Sequence, residues 1–295
     1  MSEPRQESVR DWWMRKPMTY GSVHGTGLYG AREVDIGSRE FFENADARFY
    51  SWAAGLHTDR PFGKIFPYDD YRDRPVLEIG CGMGAMASLW ARNGARVTAV
   101  DLTPTAVEMT SRRFALLGLK GEILEADARS LPFADASFDY AYSWGVLMAS
   151  PDLGRSVAEM MRLIKPGGRF GIMLYSRESV FYLFRIWYRE GFLHYERRFL
   201  SPLNLASRYT DGAEQEGNPH MLLVTEAEVR RLLAPFADSV RVQHLGPEMR
   251  ALARHILPGI GGAIPLWMIK PWARRYGWSL WISGRRRIAS DVRDD

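Results

Sequence analysis

The stretch Val76-Leu77-Glu78-Ile79-Gly80-Cys81-Gly82-Met83-Gly84 decides how the chain is read. Its first five residues, 76–80, read as a buried strand leading into the glycines, and the residues after them, Ala85 to Arg92, read as a helix closed by Gly94. A strand, a glycine loop and a helix in that order are the setting of a nucleotide loop. Glycine lets a backbone approach a ligand where a Cβ would collide. The spacing alone is weak evidence, because a tight strand-to-helix turn can demand glycine for packing without any ligand. Two acids strengthen it. Asp101 ends a second strand, 96–101, about 20 residues after the glycines, where a carboxylate can accept both hydroxyls of a ribose. Asp127 ends a third strand, 122–127, at the same edge of the sheet, where ligands of open α/β sheets collect.

Outward from this stretch the alternation continues. Thr103-Pro104 opens a helix to Leu117 with Gly118 at its end, 138–145 is a fourth strand, and Ser150-Pro151 opens the next helix. Lys165-Pro166-Gly167-Gly168 turns into a fifth strand, Arg169 to Leu174. The pattern over 75–175 predicts a parallel sheet with crossover helices. Upstream, Gly21, Gly25, Gly27 and Gly30 lie among aromatics. A helix then opens at Ser38 with Phe41, Ala45, Phe49, Trp52 and Leu56 at helical spacing. Downstream, a helix is expected at Thr225 to Leu233 and strands at Ser239 to Leu245 and Trp278 to Ser283. The stretches 176–222 and 246–276 fit no regular step and read as insertions folded over a site. The expected division is an N-terminal lid or strap with an amphipathic helix, 1–74, followed by one catalytic domain, 75–295.

With these residues in place, the chain resembles class I S-adenosylmethionine-dependent methyltransferases, specifically the small-molecule and quinone-type group. The likeness is carried by VLEIGCGMGA, AVD at 99–101, EADA at 125–128, LPFADASFDYAYSWGVL at 131–147 and LIKPGGRF at 163–170. It implies an α/β fold, a Rossmann-like seven-stranded, mostly parallel sheet with an antiparallel terminal hairpin. It also implies S-adenosyl-L-methionine as cofactor and S-adenosyl-L-homocysteine as product. By resemblance, Gly80, Gly82 and Gly84 cradle the methionine portion, Glu78 supports that loop, Asp101 binds the ribose, and Asp127 with Ala128 contacts the adenine. Cys81, Leu102 and Ser143 complete the expected cofactor-binding set. The rival is a dinucleotide dehydrogenase, whose fingerprint also ends in an acid about 20 residues on. Here the glycines fall at 80, 82 and 84 with Ala85 next, and Glu78 before the loop carries the discrimination through the resemblance.

Methyl transfer is an in-line displacement at an activated carbon, so the protein mainly aligns a nucleophile and excludes water; a general base is optional. Where many relatives carry histidines after the fourth strand, this chain has Met148-Ala149, an apolar wall. Of His24, His57, His194, His220, His244 and His255, the expected base is His220, then His194. The expected substrate contacts are Tyr20, His24, Trp144, Met148 and Tyr195. No carboxylate set for a divalent cation follows the fourth strand, so a metal is not expected.

Composition narrows the class. Of 295 residues, 46% are hydrophobic and 25% charged, which excludes collagen, a disordered tail and a coiled coil. The single cysteine excludes an intramolecular disulfide framework and fits a cytoplasmic setting. The first residues mix acids and bases where a secretion signal needs an apolar run, and the apolar stretch 256–269 is short and broken by Pro258 and Pro265. The net charge of +4 is local in origin, since 249–290 holds eight Lys or Arg and no Asp or Glu. That basic section, with Trp267, Trp272, Trp278 and Trp281, is a solvated face or a peripheral contact with an anionic membrane. It carries no nucleic-acid recognition motif. Expected, then, is an enzyme of small-molecule methylation, as in natural product biosynthesis, acting at O, N or C of a partly apolar or aromatic acceptor. The alternatives are a lipid or quinone methyltransferase docking on a membrane, and a non-catalytic cofactor binder. The oligomeric state is open.

Overall fold

In the computed structural model, residues 6–15, 34–210, 218–246 and 263–288 are described. Among the described residues, seven strands form one sheet: β1 (Pro75–Ile79), β2 (Arg96–Asp101), β3 (Gly121–Glu125), β4 (Phe138–Trp144), β5 (Ile164–Tyr175), β6 (Val240–Leu245) and β7 (Ser279–Arg285). Their order is β3-β2-β1-β4-β5-β7-β6, parallel from β3 to β5 and antiparallel where β7 pairs with β5 and with β6. The antiparallel β7, inserted between β5 and β6, departs from the order 3-2-1-4-5-6 of dinucleotide-binding sheets. β1 is buried along its whole length after Pro75, as a central parallel strand covered on both faces must be.

The crossover helices are α3 (Ala85–Arg92), α4 (Pro104–Leu117) and α5 (Leu153–Leu163), and α4 follows the expected start and stop chemistry. Thr103 Oγ1 accepts from the Ala106 N–H ahead of Pro104, and Gly118 ends α4 in the left-handed region at φ 61°. The cap of α5 is Asp152, whose carboxylate accepts from the Arg155 N–H at 2.9 Å, while Ser150 Oγ bonds Ser156 Oγ. A carboxylate two residues further on reaches the free N–H groups better than the expected serine does.

Two expected boundaries move. Lys165 to Gly168 is not a turn ahead of β5 but an irregularity inside it, between the pairings Phe138 with Ile164 and Tyr140 with Arg169. β3 stops at Glu125, leaving Asp127 in a short bridge with Ser130 beyond the strand. The described part of the stretch 176–222 contains a π-helix at Phe181–Leu193 and α6 at Pro202–Tyr209. Phe181, Tyr182, Phe184, Trp187 and Tyr188, an aromatic stripe at helical spacing in the sequence, fall on this π-helix. α7 (Glu226–Leu233) carries a capping box between Thr225 and Glu228, and the described part of the second insertion ends in α8 (Leu266–Tyr276).

Two N-terminal helices flank the sheet, α1 (Gln6–Arg15) and α2 (Arg39–Trp52). Between α2 and β1, Phe66, Tyr68 and Tyr71 pack around Trp90 together with Tyr140 and Tyr142 of β4. These residues share the sheet's own core. No helix among the described residues is long and apolar enough to cross a membrane.

Candidate functional site

A cavity of about 700 Å³ opens at the carboxyl ends of β1, β2 and β4, where parallel sheets collect ligands. Its floor is the glycine loop. Gly80 has φ 84°, and a Cβ there would come within 2.2 Å of the Val146 side chain, so this glycine is required by packing. Gly82 has φ 55° with nothing within 4 Å of its would-be Cβ, so it faces open space. Thr110 Oγ1 donates to the Gly82 carbonyl at 3.0 Å, and a Cβ on Gly84 would strike Thr110 at 2.8 Å. The packing explanation and the ligand explanation of the motif therefore both hold, at different glycines.

Asp101 locks the loop to the end of β2. Its Oδ2 accepts from the Gly82 N–H at 3.0 Å, and its Oδ1 accepts from Thr103 N and Oγ1, each at 3.0 Å. Burial raises its pKa, and these donors oppose that rise. Beneath the loop, Glu78 is 3% exposed and lines the cavity, with Oε2 lacking a hydrogen-bond partner. Burial pushes its carboxyl up to about 8, opposed by the Tyr142 hydroxyl and the Ala87 backbone beside it. Cys81 lines the same floor, its thiol held well above the ordinary range by burial and by the Asp101 and Glu78 charges.

The remaining walls come from distant parts of the chain. α1 supplies Val9 and Trp13, and Arg10 secures that helix by donating to the Leu102 carbonyl at 3.3 Å and pairing with Glu125 at 2.5 Å. α2 supplies Arg48 and Phe49. It is anchored by Asp46, both of whose oxygens accept from the buried Arg113 at 2.8 Å, with the guanidinium 4.4 Å over the Phe42 ring. Away from the glycine loop the wall is apolar and aromatic: Trp144, Val146, Leu147, Met173, Tyr175, Phe181 and Trp278. Trp278 stacks on Tyr175 with ring centroids 4.4 Å apart, and Phe181 lies 5.0 Å from Trp278. Antiparallel pairing of β5 with β7 brings these residues together.

The expected site residues divide accordingly. Glu78, Gly80, Cys81, Gly82, Asp101, Leu102, Ala128 and Trp144 line the cavity, and Gly84 supports the loop from behind. Asp127 is not in the wall. Arg129, two residues on, binds its carboxylate through Nε and Nη2, and although burial works to raise its pKa, those bonds and that charge hold it below the usual range. Ser143 is turned the other way, donating to the Ile79 carbonyl at 2.9 Å. Met148 is fully buried in the main core, and Tyr195 is 66% exposed; neither lines the cavity.

Of the two expected bases, His194 is half exposed and its Nδ1 pairs with Glu190 at 2.7 Å, away from the cavity wall. His220 is buried behind Ser150, whose backbone it faces; burial lowers its pKa, and its Nδ1 has no partner. The wall residue there is Ser150 itself, and no histidine among the described residues lines the cavity. Tyr20, His24 and His255 lie outside the described residues. Sequence reasoning did not single out Val9, Ile36, Arg48, Met109, Met173, Tyr175 or Thr103, all of which line the cavity. Only Thr103 left a local signal, its capping position beside Asp101.

The methyltransferase domain family matches residues 77–172. Over 96 residues the chain is 38% identical to sterol 4-C-methyltransferase strm-1 of Caenorhabditis elegans, covering 32% of this chain and 29% of that protein. It is 33% identical over 136 residues to the malonyl acyl-carrier protein O-methyltransferase of Pseudescherichia vulneris, covering 46% of this chain and 52% of that one. The matched segment thus spans about half or less of these relatives' own length. Among solved structures, an S-adenosylmethionine-dependent methyltransferase of Methanosarcina mazei aligns with a TM-score of 0.53 at 22% identity, over 76% of this chain and 99% of that one. The cyclase SpnF aligns with a TM-score of 0.54 at 16% identity, over 98% of each chain. Residues 77–172 thus match the methyltransferase domain family, on a Rossmann-like sheet whose fold these solved structures share.

Proposed function

We propose that this chain transfers the methyl group of S-adenosylmethionine to a small, largely apolar or aromatic acceptor. The observation that carries the proposal is one cavity joining the Gly80 to Gly82 floor and Asp101 to the wall of Trp144, Met173, Tyr175, Phe181 and Trp278. The residues fit the cofactor. Gly82 leaves room for a ligand atom, Asp101 offers a carboxylate at ribose position, and the unpartnered Oε2 of Glu78 offers an acceptor to a cation beneath the loop. When bound, S-adenosylmethionine supplies a sulfonium-activated methyl carbon. The chain's own part is to hold and orient. The glycine loop and Asp101 fix the donor, Ala126 and Ala128 give a flat apolar face for the base, and the aromatic wall positions the acceptor while excluding water. We assign no general base, since the positions of His194 and His220 do not support either.

An apolar acceptor also agrees with the relative that is a sterol methyltransferase. The overall likeness to a cyclase is a reminder that function rests on the site and not on the fold. The test of the cofactor half is calorimetric titration with S-adenosylmethionine and, separately, with a nicotinamide dinucleotide. Binding of the first alone supports the proposal, and preference for the second overturns it.

A further inference from the structure

The π-helix Phe181–Leu193 and α8 pack against each other through Val180 and Phe184 on one side and Ile269 and Ala273 on the other. Outside that seam both helices leave large apolar side chains in solvent. Among the described residues, Trp267 is 71% exposed and Trp272 59%, with Met268 beside them. Leu183, Tyr188, Phe192 and Leu193 are exposed on the π-helix, and Phe199 just after it is 84% exposed. Tyr188 and Phe192 stack with centroids 5.9 Å apart, extending a ladder from Phe184 at the seam. Exposed aromatics in this number are not ordinary surface.

The charge beside them is net positive. Residues 181–200 and 266–276 together carry seven Lys or Arg and two Glu. Glu190 is buried against Arg185, Arg189 and His194, and Glu196 bonds the Tyr209 hydroxyl. On α8, Lys270, Arg274 and Arg275 are exposed, and none of its residues is acidic. Tryptophans interleaved with basic side chains match a lipid headgroup layer, where an indole sits at the apolar boundary and a cation meets anionic phosphate. A protein partner would have to be strongly acidic as well as apolar.

We propose that this face docks on an anionic lipid bilayer and that an apolar acceptor enters the cavity from it. The placement joins the two sites. Phe181 begins the π-helix and Trp278 follows α8 by two residues, and both are walls of the cavity. The proposal deepens the assignment of an apolar acceptor and rests on it for the entry step, whereas docking itself is measured without any methyl transfer.

The experiment is co-sedimentation of the full chain with vesicles of phosphatidylglycerol and phosphatidylcholine, compared with phosphatidylcholine alone. Binding to the anionic vesicles, reversed by salt, is the expected result. Trp267→Ser with Trp272→Ser weakens it about tenfold or more. Lys270→Gln with Arg274→Gln and Arg275→Gln weakens it on the order of a hundredfold, since each basic residue near an anionic surface contributes about fivefold. Both variants keep S-adenosylmethionine affinity, which shows that the fold and the cofactor site are intact. Equal binding to both vesicle types, no binding, or unchanged binding by the variants overturns the proposal. So does a stable dimer that dissociates on Trp267→Ser with Trp272→Ser, because a second copy is then the occupant. If the chain docks but transfers no methyl group, the docking face stands and the enzymatic assignment fails.

Discussion

The backbone N–H of Gly82 donates to the Asp101 carboxylate at 3.0 Å, so the glycine loop and the strand-end acid are one hydrogen-bonded unit. The same carboxylate also holds the N-terminus of α4 through Thr103. Asp101→Ala removes charge-assisted bonds to both the loop and a ribose, and should weaken S-adenosylmethionine binding by about 1–3 kcal/mol. Calorimetry checks this, and an unchanged Kd removes Asp101 from the cofactor site.

The two glycines of the floor should respond differently to the same substitution. Gly80→Ala forces a Cβ into Val146 at 2.2 Å and should lower the melting temperature. Gly82→Ala meets no protein atom within 4 Å and costs only the left-handed backbone strain, about 1–2 kcal/mol. It should reduce cofactor affinity far more than Gly80→Ala does per degree of lost stability. Equal loss of both quantities in the two variants would make Gly82 a packing glycine as well.

Glu78 gives the ligand-free protein a pH dependence whose sign is fixed. Its folded pKa of about 8 lies above the ordinary 4.5, so the folded state holds a proton that the unfolded state releases. Between those values stability falls as pH rises, by up to about 1.4 kcal/mol per unit for one proton. Below about 4.5 both states are protonated and this contribution is flat. Chemical denaturation of Glu78→Gln across that window should show a shallower decline than the parent. A cationic ligand favours the carboxylate, so S-adenosylmethionine binding should tighten with pH toward about 8 in the parent and not in the variant.

Trp278, stacked on Tyr175 in the wall, separates acceptor recognition from cofactor binding. Trp278→Leu keeps an apolar side chain and loses the aromatic contact, worth about 0.5–1.5 kcal/mol beyond area. The expected result is a KM for the acceptor raised several-fold, with the Kd for S-adenosylmethionine unchanged. A change confined to the Kd would place Trp278 on the cofactor side.

The parts of this site that were legible in the sequence are those whose signal is local. Gly80 to Gly84 and Asp101 sit at fixed offsets around one strand-turn-helix unit, and the alternation of strands and helices sets the parallel sheet. Asp127 stands at the expected sheet edge, but a neighbour two residues away, Arg129, takes its carboxylate. Arg48 reaches the cavity from a helix that precedes the sheet, and Tyr175 meets Trp278 through strands about a hundred residues apart. No periodicity records such contacts. His220 stands in a segment that reads as covering the site, whereas the fold buries its side chain against the Ser150 backbone and outside the cavity wall.

Methyl transfer itself is the central claim, and the most direct measurement follows the label. Purified protein is incubated with methyl-labelled S-adenosylmethionine and a cell extract, and the label is partitioned among organic, aqueous and protein fractions. The account predicts label in an organic-soluble small molecule, lost in Asp101→Ala and reduced in Trp278→Leu. Label only in protein, or no transfer despite tight cofactor binding, would contradict it.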